Sequence, residues 1–128
     1  MNTRRSRRSG NPEVTIICWR DIPAQVTAKV GGEKSTHLLH ARFQHAIDRA
    51  AMVAGLTGTD SYVQQWTRIT IPLVGDAQGA VSSEAERLEA DFARDKLEAF
   101  VSNGGLDPAI HPDAYAGIDK PAESEPPE

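Results

Sequence analysis

Four histidines, one cysteine and a scatter of arginines and carboxylates are the residues of this 128-residue chain with chemistry to offer. His37, His40, His45 and Asp48 lie close together in sequence. On a helix, His37, His40 and Asp48 would share roughly an 80° arc, but His37 and Asp48 would stand about 16 Å apart along the axis, too far for one ion. Only His37 and His40 could chelate together. There is no HExxH pattern and no cysteine ligand nearby. The simpler reading is a set of solvated histidines on the polar side of a helix, and no metal ligand is assigned.

Cys18 is the only thiol, so there is no disulfide framework and no cysteine-based zinc site. An activated thiol needs a base or cation beside it and some exposure. Cys18 instead sits in the most apolar run of the chain, which points to a buried structural thiol. Trp19, Arg20 and Asp21 stand where that run ends, and the ends of strands commonly carry binding residues. Arg42, Asp48 and Arg49 fall on the helix that should come next. With Trp66, these seven form the candidate binding surface, suited to a carboxylate, a phosphate or a protein partner. The same charges could equally be a salt-bridge set that fixes the turn against the helix. An exposed pair contributes only about 0–1 kcal/mol, so folding alone gives little reason for the cluster. No P-loop, GxGxxG, GxSxG or kinase signature is present. No catalytic residue and no cofactor is assigned.

The elements that must position these residues can be read from periodicity. Residues 13–20 (Glu-Val-Thr-Ile-Ile-Cys-Trp-Arg) are β-branched and apolar on both faces, which predicts a central, doubly covered strand. Asp21, Ile22 and Pro23 are read as the turn, and Gln25 to Val30 as an antiparallel partner ended by Gly31-Gly32. The spacing of Leu39, Phe43, Ala46, Ile47, Ala50, Ala51 and Ala54 predicts a helix over 36–54, stopped by Gly55. Asp60 can cap a short helix carrying Tyr62, Val63 and Trp66. Arg68 to Val74 alternates and reads as a third strand, demoted to an edge by Pro72. Residues 76–82 read as a loop, and Ser83 with Glu86 as the capping box of a second long helix. Leu97, Phe100 and Val101 are out of phase with Ala85, Leu88 and Phe92. That predicts a kink or restart near Asp95, with its own capping box to Glu98 and a stop at Asn103-Gly104-Gly105. The out-of-phase residues could pack internally or pair with a second copy as a homodimer. The fold class is α+β: a small antiparallel sheet of two or three strands covered by two to three helices.

Charge divides the chain further. Residues 1–12 hold four arginines (Arg4, Arg5, Arg7, Arg8) and no acid, 13–80 hold six bases and six acids, and 81–128 hold four bases and twelve acids. The organisation expected is a disordered basic arm over 1–12, one domain over 13–105, and a disordered acidic Pro/Glu-rich tail over 106–128. The arm could track phosphate weakly, but a nucleic-acid module should also show a basic, aromatic-bearing face on its folded part. Nucleic acid is therefore the lesser expectation. No apolar stretch is long enough to span a membrane, and Ser9 to Glu13 do not continue the arginines as a signal peptide would. A cytoplasmic protein is expected.

The segment Ile17-Cys18-Trp19-Arg20-Asp21-Ile22-Pro23-Ala24-Gln25-Val26 resembles the opening of the bacterial virulence factor domain family, also found in conserved virulence factor C-type proteins. Arg42-Phe43-Gln44 and Ala46-Ile47-Asp48-Arg49-Ala50-Ala51-Met52 resemble its helix, and Gly55-Leu56, Asp60, Tyr62 and Trp66 fit the family segment after that helix. The likeness covers about residues 14–67. It implies no reaction, cofactor or catalytic residue. It implies an accessory or protein-interaction domain, since family members accompany larger proteins. Stand-alone members further imply partners in folate- and corrinoid-dependent one-carbon methyl transfer.

Overall fold

The β-branched run at 13–20 forms a central strand, as its composition requires. A computed structural model describes residues 12–112. In chain order these residues form β1 (Glu13–Trp19), β2 (Ile22–Val30), β3 (Glu33–Leu38), α1 (Ala41–Ala54), α2 (Thr59–Val63), β4 (Trp66–Pro72), α3 (Ala77–Asp91) and α4 (Arg94–Ser102). One antiparallel sheet has the order β3-β2-β1-β4. The arm at 1–11 and the segment 113–128 lie outside the described residues.

Register decides which side chains share a face. Val14 opposes Ala28 and Ile71, and Ile16 opposes Val26 and Ile69. Val14, Ile16, Val26 and Ala28 are buried. Helix α3 packs over β2 and β3 on this side and buries Ala77, Val81, Ala85 and Leu88. The other side is covered at its Trp19 end, where Tyr62 stacks on the indole, and is open beyond it. Thr15, Ile17 and Thr27 are half-buried there, and Thr36, Leu38, Arg68 and Thr70 are exposed. The central placement of β1 is as expected, and its coverage is double only at the Cys18–Trp19 end, Thr15 and Ile17 being half-buried.

Helix α1 buries Phe43, Ala46, Ile47, Ala50 and Ala51 and packs against α4. Leu97, Phe100 and Val101 of α4 are buried within the chain. Phe92 lies in the break between α3 and α4, with its ring 6.0 Å from Phe43 and 5.1 Å from Phe100. The phase break in the sequence is thus a real break in the helix. It lets both apolar sets face one core.

Several elements differ from the reading of periodicity. The sheet has four strands rather than two or three, because residues 33–38 form β3 instead of opening the helix. Gly31 (φ 61) and Gly32 make the turn between β2 and β3, a glycine-rich hairpin connection. β3 is an edge strand with five of its six residues exposed, so it has no apolar alternation to read. Its ladder bonds to β2, a Thr27–Thr36 hydroxyl contact and the packing of α3 hold it. Helix α1 begins at Ala41, where the His40 Nδ1 accepts from the Arg42 N–H at 3.0 Å. His37 is therefore on a strand and His40 at a helix cap, which removes the shared helical arc.

The first hairpin turns at Arg20-Asp21, with Ile22 and Pro23 already in β2. Pro23 is tolerated because the register shifts between Ile17 and Cys18, and a bulge needs no ladder donor from it. Gly58, not Asp60, precedes α2, and Trp66 opens β4 instead of sitting on that helix. β4 ends at Pro72 and is an edge strand, in keeping with that proline.

The expected loop at 76–82 is the first turn and a half of α3. Asp76 caps it, its Oδ2 accepting from the Gly79 N–H at 3.0 Å, so no Ser83–Glu86 box opens the helix. Ser83 and Glu86 lie inside the helix and are exposed. α4 starts after Ala93, which makes no side-chain cap, and Glu98 is engaged by Arg49 rather than by Asp95. Leu106 to Pro112, which composition places in the tail, are tied to the folded part: the Asn103 Nδ2 donates to the carbonyls of Leu106 and His111.

Candidate functional site

The seven residues singled out by sequence serve three separate places. The first is the β1–β2 turn. Trp19 is fully buried, and its Nε1–H donates to the Tyr62 carbonyl at 2.8 Å. Its ring stacks on Tyr62, with centroids 5.5 Å apart. Arg20 occupies the left-handed region (φ 55), which is unusual for a residue with a Cβ. Bonds on both sides hold it there. Its N–H donates to the Gln65 carbonyl at 2.9 Å, its Nε to Gln65 Oε1 at 3.1 Å, and its Nη1 to the Gly104 carbonyl at 3.2 Å. The Asp21 N–H donates to the Gly105 carbonyl, and Asp21 Oδ2 accepts from the Asp107 N–H at 2.8 Å. The turn clasps the loop after α2 to the loop after α4.

The second place is a groove between α1 and α4, about 510 Å³ in volume, lined by His40, Arg42, His45, Ala46, Arg49, Arg94, Leu97 and Glu98. Arg49 grips Glu98 with both ends of its fork, at 2.6 and 2.8 Å. That bonding raises the arginine and holds the Glu98 carboxyl below its ordinary range. Arg42 is half-buried and donates through Nη2 to the carbonyls of Glu89 and Phe92, at 2.7 and 3.2 Å. These are end carbonyls of α3, so Arg42 acts as its C-terminal cap. Its guanidinium also lies 4.8 Å from the Phe43 ring centre.

The third place is a cleft of about 530 Å³ on the open side of the sheet, lined by Ile17, Ala24, Gln25, Leu38, Leu39, Ala41, Gln44 and Trp66. Trp66 is half-buried and meets the Tyr62 ring edge-on at 6.1 Å. Leu38 is 69% exposed. Asp48 stands beside this cleft, accepting from Gln44 Nε2 at 3.0 Å. Beyond it, Thr36, Thr27, Thr15 and Thr70 line up across all four strands. Register then places Lys34, Lys29 and Glu13 in the next row and Arg68 opposite Ile17.

Sequence reasoning missed Leu38, Ile17 and the threonine row, because they come together only through register. It also missed Arg94 and His45 as groove residues. The signal available for Arg94 was its position just after the helix break.

Other chemistry is limited. Cys18 is buried, and that burial, with the charge of Asp21, pushes its thiol up to about 12. It is protonated and shielded at neutral pH, as a structural thiol should be. Among the described residues, no three His, Cys, Asp or Glu side chains are placed to hold a metal ion, and no helix is long and apolar enough to cross a membrane. Arg4, Arg5, Arg7 and Arg8 lie outside the described residues.

The chain is an α+β domain with a four-stranded antiparallel sheet, helix-covered on one face and flanked by a charged groove. A family model described as "Virulence factor" matches residues 17–101, about two thirds of the chain. The chain belongs to that family. No curated protein and no solved structure matches it significantly.

Proposed function

We propose that this domain is a non-enzymatic accessory module of the cytoplasm that binds another protein through the open face of its sheet. The observation that carries the reading is Leu38. It is a large apolar side chain left 69% exposed at the rim of a cleft walled by Ile17 and Trp66. Covering such a side chain contributes roughly 1.5–3 kcal/mol. The charged residues that register places on this face are Arg68, Lys29 and Lys34 against Glu13. The partner that fits is a folded protein with an apolar protrusion set among acidic residues. Tagged protein in nuclease-treated native lysate should retain one stoichiometric partner, and the purified partner should bind wild type but not Leu38→Glu. A monomer that retains nothing at low salt, or equal binding by Leu38→Glu, would overturn the reading.

A second reading makes the domain a ligand binder or accessory subunit in folate- or corrinoid-dependent methyl transfer. It draws support from Arg42 and Arg49, which share one groove, where guanidinium groups can meet a carboxylate. Arg20, the third cation of that reading, is bonded to Gln65 and Gly104 instead. Calorimetry with folates, alone and with a captured partner, tests it: absence of heat in both would remove it.

A further inference from the structure

The groove between α1 and α4 is distinct from the open sheet face and is lined mainly by charged and polar side chains rather than by apolar ones. Three arginines (Arg42, Arg49, Arg94) and two histidines (His40, His45) line it, against one carboxylate, Glu98. With both histidines neutral, the lining holds two positive charges in excess. A second carboxylate stands at the rim, where Glu89 accepts from the His40 backbone N–H at 2.9 Å. Ala46 and Leu97 contribute apolar surface. The volume is that of a ligand cleft.

The groove already binds one carboxylate, its own. Arg49 holds Glu98 bidentately, yet both side chains are about half exposed, at 52% and 47%. An ion pair so exposed exchanges partners readily. Arg94 lies in the first turn of α4, whose N-cap Ala93 makes no side-chain bond. Its charge and the open helix end favour an anion at the same place. Asp95 shares that turn but does not line the groove. Arg42, fixed by two carbonyls, is a rigid positive wall.

Length selects the kind of anion. From His40 to Arg49 the lining runs along about 13 Å of α1. A single small anion would occupy only part of that length. An extended peptide rises about 3.3 Å per residue, so about four residues span the row. We infer that this groove binds an extended acidic peptide segment of a partner protein, with Glu98 standing in for one of its carboxylates in the free protein.

Fluorescence anisotropy of a labelled hexaglutamate peptide with the full chain at low ionic strength tests this. Saturable binding is expected, several-fold weaker for Arg94→Gln and several-fold tighter for Glu98→Gln, which frees the Arg49 fork. A thermal unfolding curve matching wild type shows that the tighter variant is folded. Glutamate and inorganic phosphate should compete poorly, and Leu38→Glu should leave the peptide affinity unchanged. Absence of saturable binding would overturn the inference. So would affinity indifferent to both groove substitutions, as adsorption to the arginines of residues 1–12 would give. Equal competition by phosphate would mean an adventitious anion site only. Loss of binding in Leu38→Glu would move the peptide to the sheet face.

Discussion

The β1–β2 turn and the open face of the sheet contain the two tryptophans, and they treat them in opposite ways. Trp19 is sealed, stacked and hydrogen-bonded, and its neighbours Arg20 and Asp21 are bonded to backbone on two loops. Trp66 is half-buried at the edge of a cleft whose far rim, Leu38, faces water. Polar groups that fold onto protein partners serve the fold. Apolar groups that the fold leaves wet are available to something else. The charged corner offered by the sequence is bonded as a clasp between two loops, and the featureless 33–38 segment supplies the rim of the candidate surface.

Substitutions can break or sharpen this contrast. The largest effect is expected at Trp19→Ala, which removes a fully buried indole and should cost about 3–5 kcal/mol in a denaturant titration. A loss below about 1 kcal/mol would mean that the corner is not a clasp. Gly105→Ala should come second, at roughly 1–3 kcal/mol. Gly105 sits at φ +92, and an added Cβ would lie 2.9 Å from the Trp19 ring. Arg42→Ala should lose about 1–2 kcal/mol by uncapping α3, read by thermal unfolding. On the open face, Leu38→Glu should change stability by less than about 0.5 kcal/mol while abolishing partner binding. A large destabilisation there would erase the distinction between the two regions.

A separate effect, confined to alkaline pH, concerns Cys18. A thiol raised to about 12 in the folded chain stays protonated while the unfolded thiol ionises from about 9. Its contribution is complete below the unfolded value and falls as pH rises towards the folded one. The slope is at most about 1.4 kcal/mol per unit. Wild type should therefore lose stability faster than Cys18→Ala across that window. Parallel curves would show that the thiol is not shielded.

Much of the fold was legible because burial left a period in the sequence. β1, α1 from Phe43 onward, the restart between Phe92 and Leu97, and the stop at Asn103 all have apolar residues at the spacing their core faces demand. β3 was not legible, since an exposed edge strand selects no pattern. The start of α3 was obscured by Gly79 and the polar residues around it, although Asp76 with Ala77, Val81, Ala85 and Leu88 carries the helical spacing. Arg42 and Arg49 could be placed on a helix from sequence alone. That one caps α3 and the other grips Glu98 could not, because both partners lie more than forty residues away.

The sequence by itself determined an α+β domain with a central apolar strand, a buried thiol and two unlike charged ends, because composition and period report directly on burial. Tertiary structure alone decided which charges are spent and which surfaces stay open. Register put four threonines in one row and Leu38, Gln25 and Ile17 in another, and the packing of α1 on α4 gathered Arg42, Arg49 and Arg94 around one groove. Those choices depend on residues far apart in the chain, and no local pattern carries information about a distant partner.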